Sequence, residues 1–93
     1  MFKQQYEAFT ILRRKQVQVE SGYSRSTIYL RIAQGLWPKP IAIGPRSVGW
    51  PASEVAALNA ARIAGRTDGD IRSLVRDLEA ARAAAGQSGV RNV

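Results

Sequence analysis

Cysteine and histidine are both absent from the 93 residues. A disulfide framework and a thiolate or imidazole metal site are therefore excluded. Also missing is any apolar run near the roughly 20 residues that a membrane helix needs. The opening Met1-Phe2-Lys3-Gln4-Gln5-Tyr6 lacks the apolar core of a secretion signal, so a cytoplasmic location is expected. No GxxxxGK phosphate loop and no GxSxG elbow occurs. Asp68-Gly69-Asp70 is the nearest approach to a carboxylate pair, but it lacks the remaining ligands of a calcium loop, and helix capping explains it better. Asp77 and Glu79, two apart on a helix, face different ways. The chain is not expected to be an enzyme, to carry a cofactor or metal, or to take a small-molecule ligand.

Basic side chains are abundant, and the net charge is +7. Residues 1–50 hold Lys3, Arg13, Arg14, Lys15, Arg25, Arg31, Lys39 and Arg46 against Glu7 and Glu20, an excess of six. Residues 51–93 hold six arginines against Glu54, Asp68, Asp70, Asp77 and Glu79, an excess of one. A local basic excess without matching acids suits a polyanion-binding surface. A merely soluble basic surface is the alternative that charge alone leaves open.

The length allows one small domain with a modest core. Residues 1–8 have no clear period and read as a flexible N-terminal arm. Residues 9–64 form the expected DNA-binding domain. Within it, Phe9 to Arg13 reads as a short strand or extended entry. Arg14 to Ser21 reads as a helix ended by Gly22, although Val17-Gln18-Val19 also fits a strand period. A second helix spans residues 25–34, with Ser24 as its N-cap and Gly35 as its left-handed stop. Helix, glycine-bearing turn and helix make a helix-turn-helix corner.

Two prolines then stiffen residues 36–40. Ile41-Ala42-Ile43, a turn of Gly44-Pro45-Arg46-Ser47, and Val48-Gly49-Trp50 read as a hairpin. Ile41, Ile43, Val48 and Trp50 share one buried face if the turn sets that register. Trp37 and Trp50 are expected to cover the core. A third helix spans Pro51 to Ala64, with Pro51 at its first position and Glu54 favouring the positive end of its dipole. Residues 65–69 read as a linker. Ile71, Leu74, Val75 and Leu78 make an amphipathic stripe on a C-terminal helix, residues 70–85, that serves packing or self-association. Arg76, Glu79 and Arg82 are spaced for pairs along that helix. Gly86 ends it, leaving residues 86–93 as a disordered tail. The fold class is thus mainly α with a small β-hairpin: a winged helix-turn-helix plus a C-terminal helix.

Helical spacing sorts residues 25–34 by face. Ile28 and Ile32 point to the core. Ser26, Leu30 and Ala33 point outward, with Thr27 and Gln34 to the side. Arg25, Ser26 and Thr27 stand at the helix start, where free N–H groups and the dipole favour a phosphate. Arginine can also bind guanine with two hydrogen bonds, and hydroxyls serve phosphate or base edge. The alternative for Arg25 is an ion pair with Glu20 or Glu7 within the chain. Tyr29 packs its ring and offers its hydroxyl to a phosphate. Leu30 is an ordinary surface leucine or a contact to a thymine methyl. Arg31 suits the backbone. Arg46 and Ser47 at the hairpin tip lie where a wing meets the neighbouring groove. Lys39, between prolines, touches a phosphate or protects the strand edge.

Ser24-Arg25-Ser26-Thr27-Ile28-Tyr29, Gly35, Pro38-Lys39-Pro40, Gly44, Arg46, Val48-Gly49-Trp50 and Ser53-Glu54-Val55 together resemble the AlpA-like family of phage and prophage regulators. That family is related to phage excisionases and to the winged heads of MerR-type regulators. The resemblance covers about residues 11–64. It implies a small winged helix-turn-helix, with the second helix in the major groove and the wing along the backbone. It also implies DNA contacts from Arg25, Ser26, Thr27, Tyr29, Arg31 and Arg46. Leu30 stands where relatives often have arginine, Trp37 replaces the usual phenylalanine, and the C-terminal helix lies outside the matched part.

The expected function is a sequence-specific transcriptional regulator of a phage or mobile element that binds double-stranded DNA. Ser24, Arg25, Ser26, Thr27, Tyr29, Leu30, Arg31, Lys39, Arg46 and Ser47 are its candidate contacts. A homodimer or cooperative assembly on DNA fits the small surface of one module. The alternatives are an excisionase-like factor that bends attachment-site DNA, and an adaptor for an acidic protein or RNA.

Overall fold

Leu12 and Trp50 face each other across a three-stranded antiparallel sheet, and the helices gather on the face that they share. The computed structural model describes residues 9–91, with side chains through residue 85; the N-terminal arm assigned to residues 1–8 lies outside that range. The elements run β1 (Ile11–Arg13), α1 (Arg14–Ser21), α2 (Arg25–Ala33), β2 (Ile41–Gly44), β3 (Ser47–Pro51), α3 (Ala52–Ile63) and α4 (Asp68–Arg91). The sheet order is β1-β3-β2. The entry segment is therefore a true strand, and it closes the hairpin into a sheet by pairing with β3. The mainly helical winged architecture with a C-terminal helix is as expected.

Both helices of the corner have the expected bounds to within a residue. The glycines after them, Gly22 and Gly35, take φ of +77°, a left-handed conformation that glycine adopts without a Cβ clash. Gln16 closes the start of α1 by accepting from the Arg13 amide at 2.8 Å. Ser24 caps α2 as its position suggests.

The hairpin departs from expectation. Pro45 and Arg46 form its two-residue turn, and neither has positive φ. That excludes the primed turns whose twist matches paired strands. The mismatch is absorbed by a bulge between Ala42 and Gly44. Ala42, not Ile43, pairs with Val48, while Ile41 pairs with Gly49. Alternation then puts Ile41 on the face opposite Trp50. Ile43 is 40% exposed, so the expected four-residue buried face reduces to Val48 and Trp50.

Trp50 is fully buried and donates its indole N–H to the Pro38 carbonyl at 2.8 Å. Trp37 is buried too and meets Tyr23 edge-on, with ring centroids 5.7 Å apart. Ile28, Val17, Val55 and Leu58 complete the centre. Pro51 is the last residue of β3 and the N-cap of α3, so the third helix begins one residue later than expected.

α4 corrects three expectations. Asp68 and Gly69 belong to the helix, not to a linker. Thr67 caps it, accepting from Asp70 N at 3.1 Å. The helix also continues through Gly86 to Arg91, where a disordered tail was expected. Ile71 and Val75 are buried in the domain's own core, with Leu74 and Leu78 packed against it. Of the two uses open to the stripe, packing is the one observed.

The polar side of α4 also pairs across the molecule, through Glu79 and Arg82. Arg82 donates to both oxygens of Glu54, at 2.7 and 2.9 Å, and Glu54 is only 4% exposed. The hydrogen bond that Arg82 donates to Glu54 raises the Arg82 pKa; burial works against it, and the charges of Glu54 and Glu79 add to it. A base whose folded pKa is raised contributes stability below its unfolded value and loses it only as pH rises through the folded value. The arginine side of this pair is therefore constant at neutral pH. Glu54→Gln keeps the shape and removes the charge. It is expected to lower the stability measured by urea unfolding by about 2 kcal/mol, because the Arg82 guanidinium loses its counter-charge and one of its two acceptors becomes an amide nitrogen that can only donate.

Candidate nucleic-acid interface

The start of α2 presents the residues that a groove-reading helix needs. Ser24 accepts from the Thr27 amide at 3.2 Å and lies 2.9 Å from the Thr27 hydroxyl, so both hydroxyls are engaged in capping. The Ser24 and Ser26 hydroxyls are 3.3 Å apart. Arg25 and Ser26 are exposed, Leu30 is 54% exposed, and no acid lies in the first turn. Tyr29 meets Trp50 edge-on at 6.5 Å and keeps 39% of its surface exposed. Arg31 behaves differently. Its guanidinium lies over the Tyr23 ring at 5.8 Å and donates to Gln34 at 3.2 Å. Arg31 is folded onto its own domain and does not project from the α2 face.

The wing brings its tip arginine beside cations that the candidate list omitted. Arg13, Arg14, Lys15, Arg46 and Val48 line one open cleft of about 350 Å³. Pairing of Arg13 with Gly49 sets the register that carries the β1–α1 junction to the wing. Among the described residues, no acid lines the cleft. Three of its cations stand at the first residues of α1, or just before them, where the helix dipole is positive. That arrangement disfavours the free protein and favours an anion. The signal was present in the sequence as three consecutive basic residues, but they were counted only as charge. What the sequence did not show was the strand pairing that folds them against Arg46.

The cleft and α2 are joined through β3. Val48, at the cleft, and Trp50, against Tyr29, are two apart on one strand and therefore share a sheet face. Ser47 is half-buried beside Gly44, at the base of the turn. Lys39 has an exposed side chain, and its backbone is held by α4: Glu79 accepts from its amide at 2.8 Å, and Arg82 donates to its carbonyl at 2.8 Å. Among the described residues, no group of acids is placed to hold a metal ion, and no helix is long and apolar enough to cross a membrane.

Comparison with known proteins places this core. No solved structure matches the chain. It is 50% identical over 48 residues to the uncharacterized protein ORF88 of Enterobacteria phage P4, a stretch that covers 52% of this chain and about half, 54%, of that protein. The family model described as the prophage CP4-57 regulatory protein (AlpA) matches residues 10–62, which span β1 through α3 and hold both the α2 face and the cationic cleft. The chain belongs to the AlpA family of phage regulatory proteins.

Proposed function

We propose that this protein is a sequence-specific regulator that binds duplex DNA, with α2 in the major groove and the wing along the phosphate backbone. The observation that carries this reading is the cationic cleft. Four basic side chains converge there with no acid among the described residues, three of them at the electrostatically unfavourable end of a helix. Such an arrangement is rational where a polyanion supplies the missing negative charge.

The division of labour follows from exposure. Arg25, Ser26 and Leu30 are exposed on α2 to meet base edges. Arg13, Arg14, Lys15 and Arg46 grip phosphates, as does the exposed Lys39 before the wing. Ser24 and Thr27 hold the helix start, and Arg31 packs, so these three position the reader and do not read. One module of this size buries little surface, so tight specific binding calls for two copies on adjacent half-sites.

Capture of random DNA fragments followed by sequencing tests the reading. A recurrent short motif is the expected result. Equal retention of random DNA, RNA and heparin at moderate salt would instead identify an unspecific polyanion binder or adaptor. Arg25→Ala is expected to weaken binding to the captured motif by ~1–3 kcal/mol and to relax base preference at one position. Fluorescence anisotropy on the motif and its single-base variants measures both.

A further inference from the structure

α4 lies wholly beyond the family-matched residues 10–62. Its inner stripe enlarges the core, but that does not explain where its polar side chains go. Three of them reach the segment that joins α2 to the wing. Arg72 donates to the Gln34 carbonyl at 2.9 Å, and its stem lies over Gly35, where an added Cβ would meet it at 3.7 Å. Glu79 takes the Lys39 amide and Arg82 holds the Lys39 carbonyl, both at 2.8 Å. Prolines at 38 and 40 lack an amide N–H, so the Lys39 N–H is the one backbone donor in that tripeptide, and α4 takes it.

These contacts fall where α2 is weakest. Ile28 is its sole fully buried side chain among nine residues. A helix that short is marginal by itself, so its direction depends on how its ends are held. Ser24 fixes the start. Arg72 fixes the finish, placing a cation at the negative end of the dipole. Two residues beyond Lys39 the first wing strand begins.

We infer that α4 is a clamp that fixes the angle between the groove-facing helix and the wing, with Arg72 and Glu79 as positioning residues that set discrimination among DNA sequences. This rests on the DNA-binding reading above. A helix and a wing held at one angle fit one groove geometry. When the hold is released, both can still meet phosphates, but base contacts are blurred. Overall attraction to DNA, which comes from charges at the cleft, is then little changed.

Arg72→Ala, Glu79→Ala and the pair test the clamp. Alanine keeps the helix; Arg72 is exposed and Glu79 half-buried. Affinity for the captured motif and for random duplex is measured at one salt concentration, with a salt titration and a thermal melt. For the double variant, motif affinity is expected to fall roughly tenfold, the size of one blurred base contact. Random-duplex affinity and salt slope are expected to stay within about twofold of wild type, since Arg72 and Glu79 lie outside the phosphate-gripping set. Arg72→Lys, which can still donate to Gln34, is expected to recover much of the loss. Parallel loss of both affinities, or an unchanged motif-to-random ratio, would overturn the clamp while leaving DNA binding intact. A wild-type protein that does not distinguish motif from random duplex would overturn the underlying reading, and the clamp with it.

Discussion

Replacing Arg13, Arg14, Lys15 and Arg46 together by glutamine is expected to weaken duplex binding by roughly 10²–10³-fold near 0.15 M salt. The reasoning is counterion release. Each phosphate neutralised by the protein frees about 0.9 of a condensed cation, so four such contacts account for a slope of about −3.6 in log affinity against log salt. The full charge complement suggests four to six phosphates and a slope of about −4 to −5, so the cleft carries most of it. Anisotropy titrations from 50 to 300 mM salt read both quantities. The same substitution should not harm the free protein. Three of the four cations oppose the dipole of α1, and such a charge costs about 0.3–1 kcal/mol near an exposed helix end. Urea unfolding should therefore show equal or higher stability. Loss of binding with gain of stability is the signature of residues kept for a ligand. A variant that binds as before, with an unchanged salt slope, would remove the cleft from the interface.

Gly49→Ala is expected to cost about 3 kcal/mol of stability, at the upper end of overpacking effects. Gly49 lies mid-strand with ordinary backbone angles, so the demand is one of space. A Cβ there would stand 2.5 Å from the Ile11 Cγ2 and 2.9 Å from the Leu12 carbonyl oxygen. Ile11 is β-branched and stiff at χ1, and the oxygen belongs to the neighbouring strand. Neither can yield without lifting β1 from β3. The Arg13–Gly49 pairing goes with it, and so does the position of the β1–α1 junction beside the wing. Thermal melting is expected to fall by about 15 °C for a domain of this length. Gly44→Ala is the control, because its nearest obstacle is the Ser47 Cβ at 3.5 Å, an ordinary contact. If the two variants melt alike, the close approach of β1 is not a constraint.

The parts of the fold that were legible in the sequence are those governed by local chemistry. Ser24, Gly22 and Gly35 delimit the two short helices through capping and left-handed backbone. Pro45-Arg46 marks the wing tip, and the period of Ile71, Leu74, Val75 and Leu78 marks a packed helix. What was not legible depended on partners distant in the chain. The bulge that turns Ile43 outward follows from a mismatch between turn and strand twist, which alternation of apolar residues does not reveal. Glu54 read as a favourable charge at a helix start; its partner Arg82 lies 28 residues away. The charged residues of α4 fitted pairs along one helix, yet Glu79 and Arg82 serve the loop after α2.

The candidate site divides along the same line. Exposure of Ser26 and Leu30 was readable from helical spacing, which set Arg25 beside the core-facing Ile28 and Ile32; Arg25 is exposed as well. The retreat of Arg31 depends on Tyr23 and on the chain's path past Gln34. Arg13, Arg14 and Lys15 gained their meaning from a strand pairing that ends beside Arg46.

The arrangement stands or falls on whether one duplex meets both surfaces at once. Titration of isotope-labelled protein with a duplex carrying the captured motif, followed by amide shifts, decides it. Residues 24–30, 13–15 and 44–48 should shift together at one stoichiometry, while Val19 and Ile63, exposed residues outside the proposed contacts, stay still. Shifts centred on Val19 and Ile63, or shifts at residues 24–30 without any at the cleft, would contradict it.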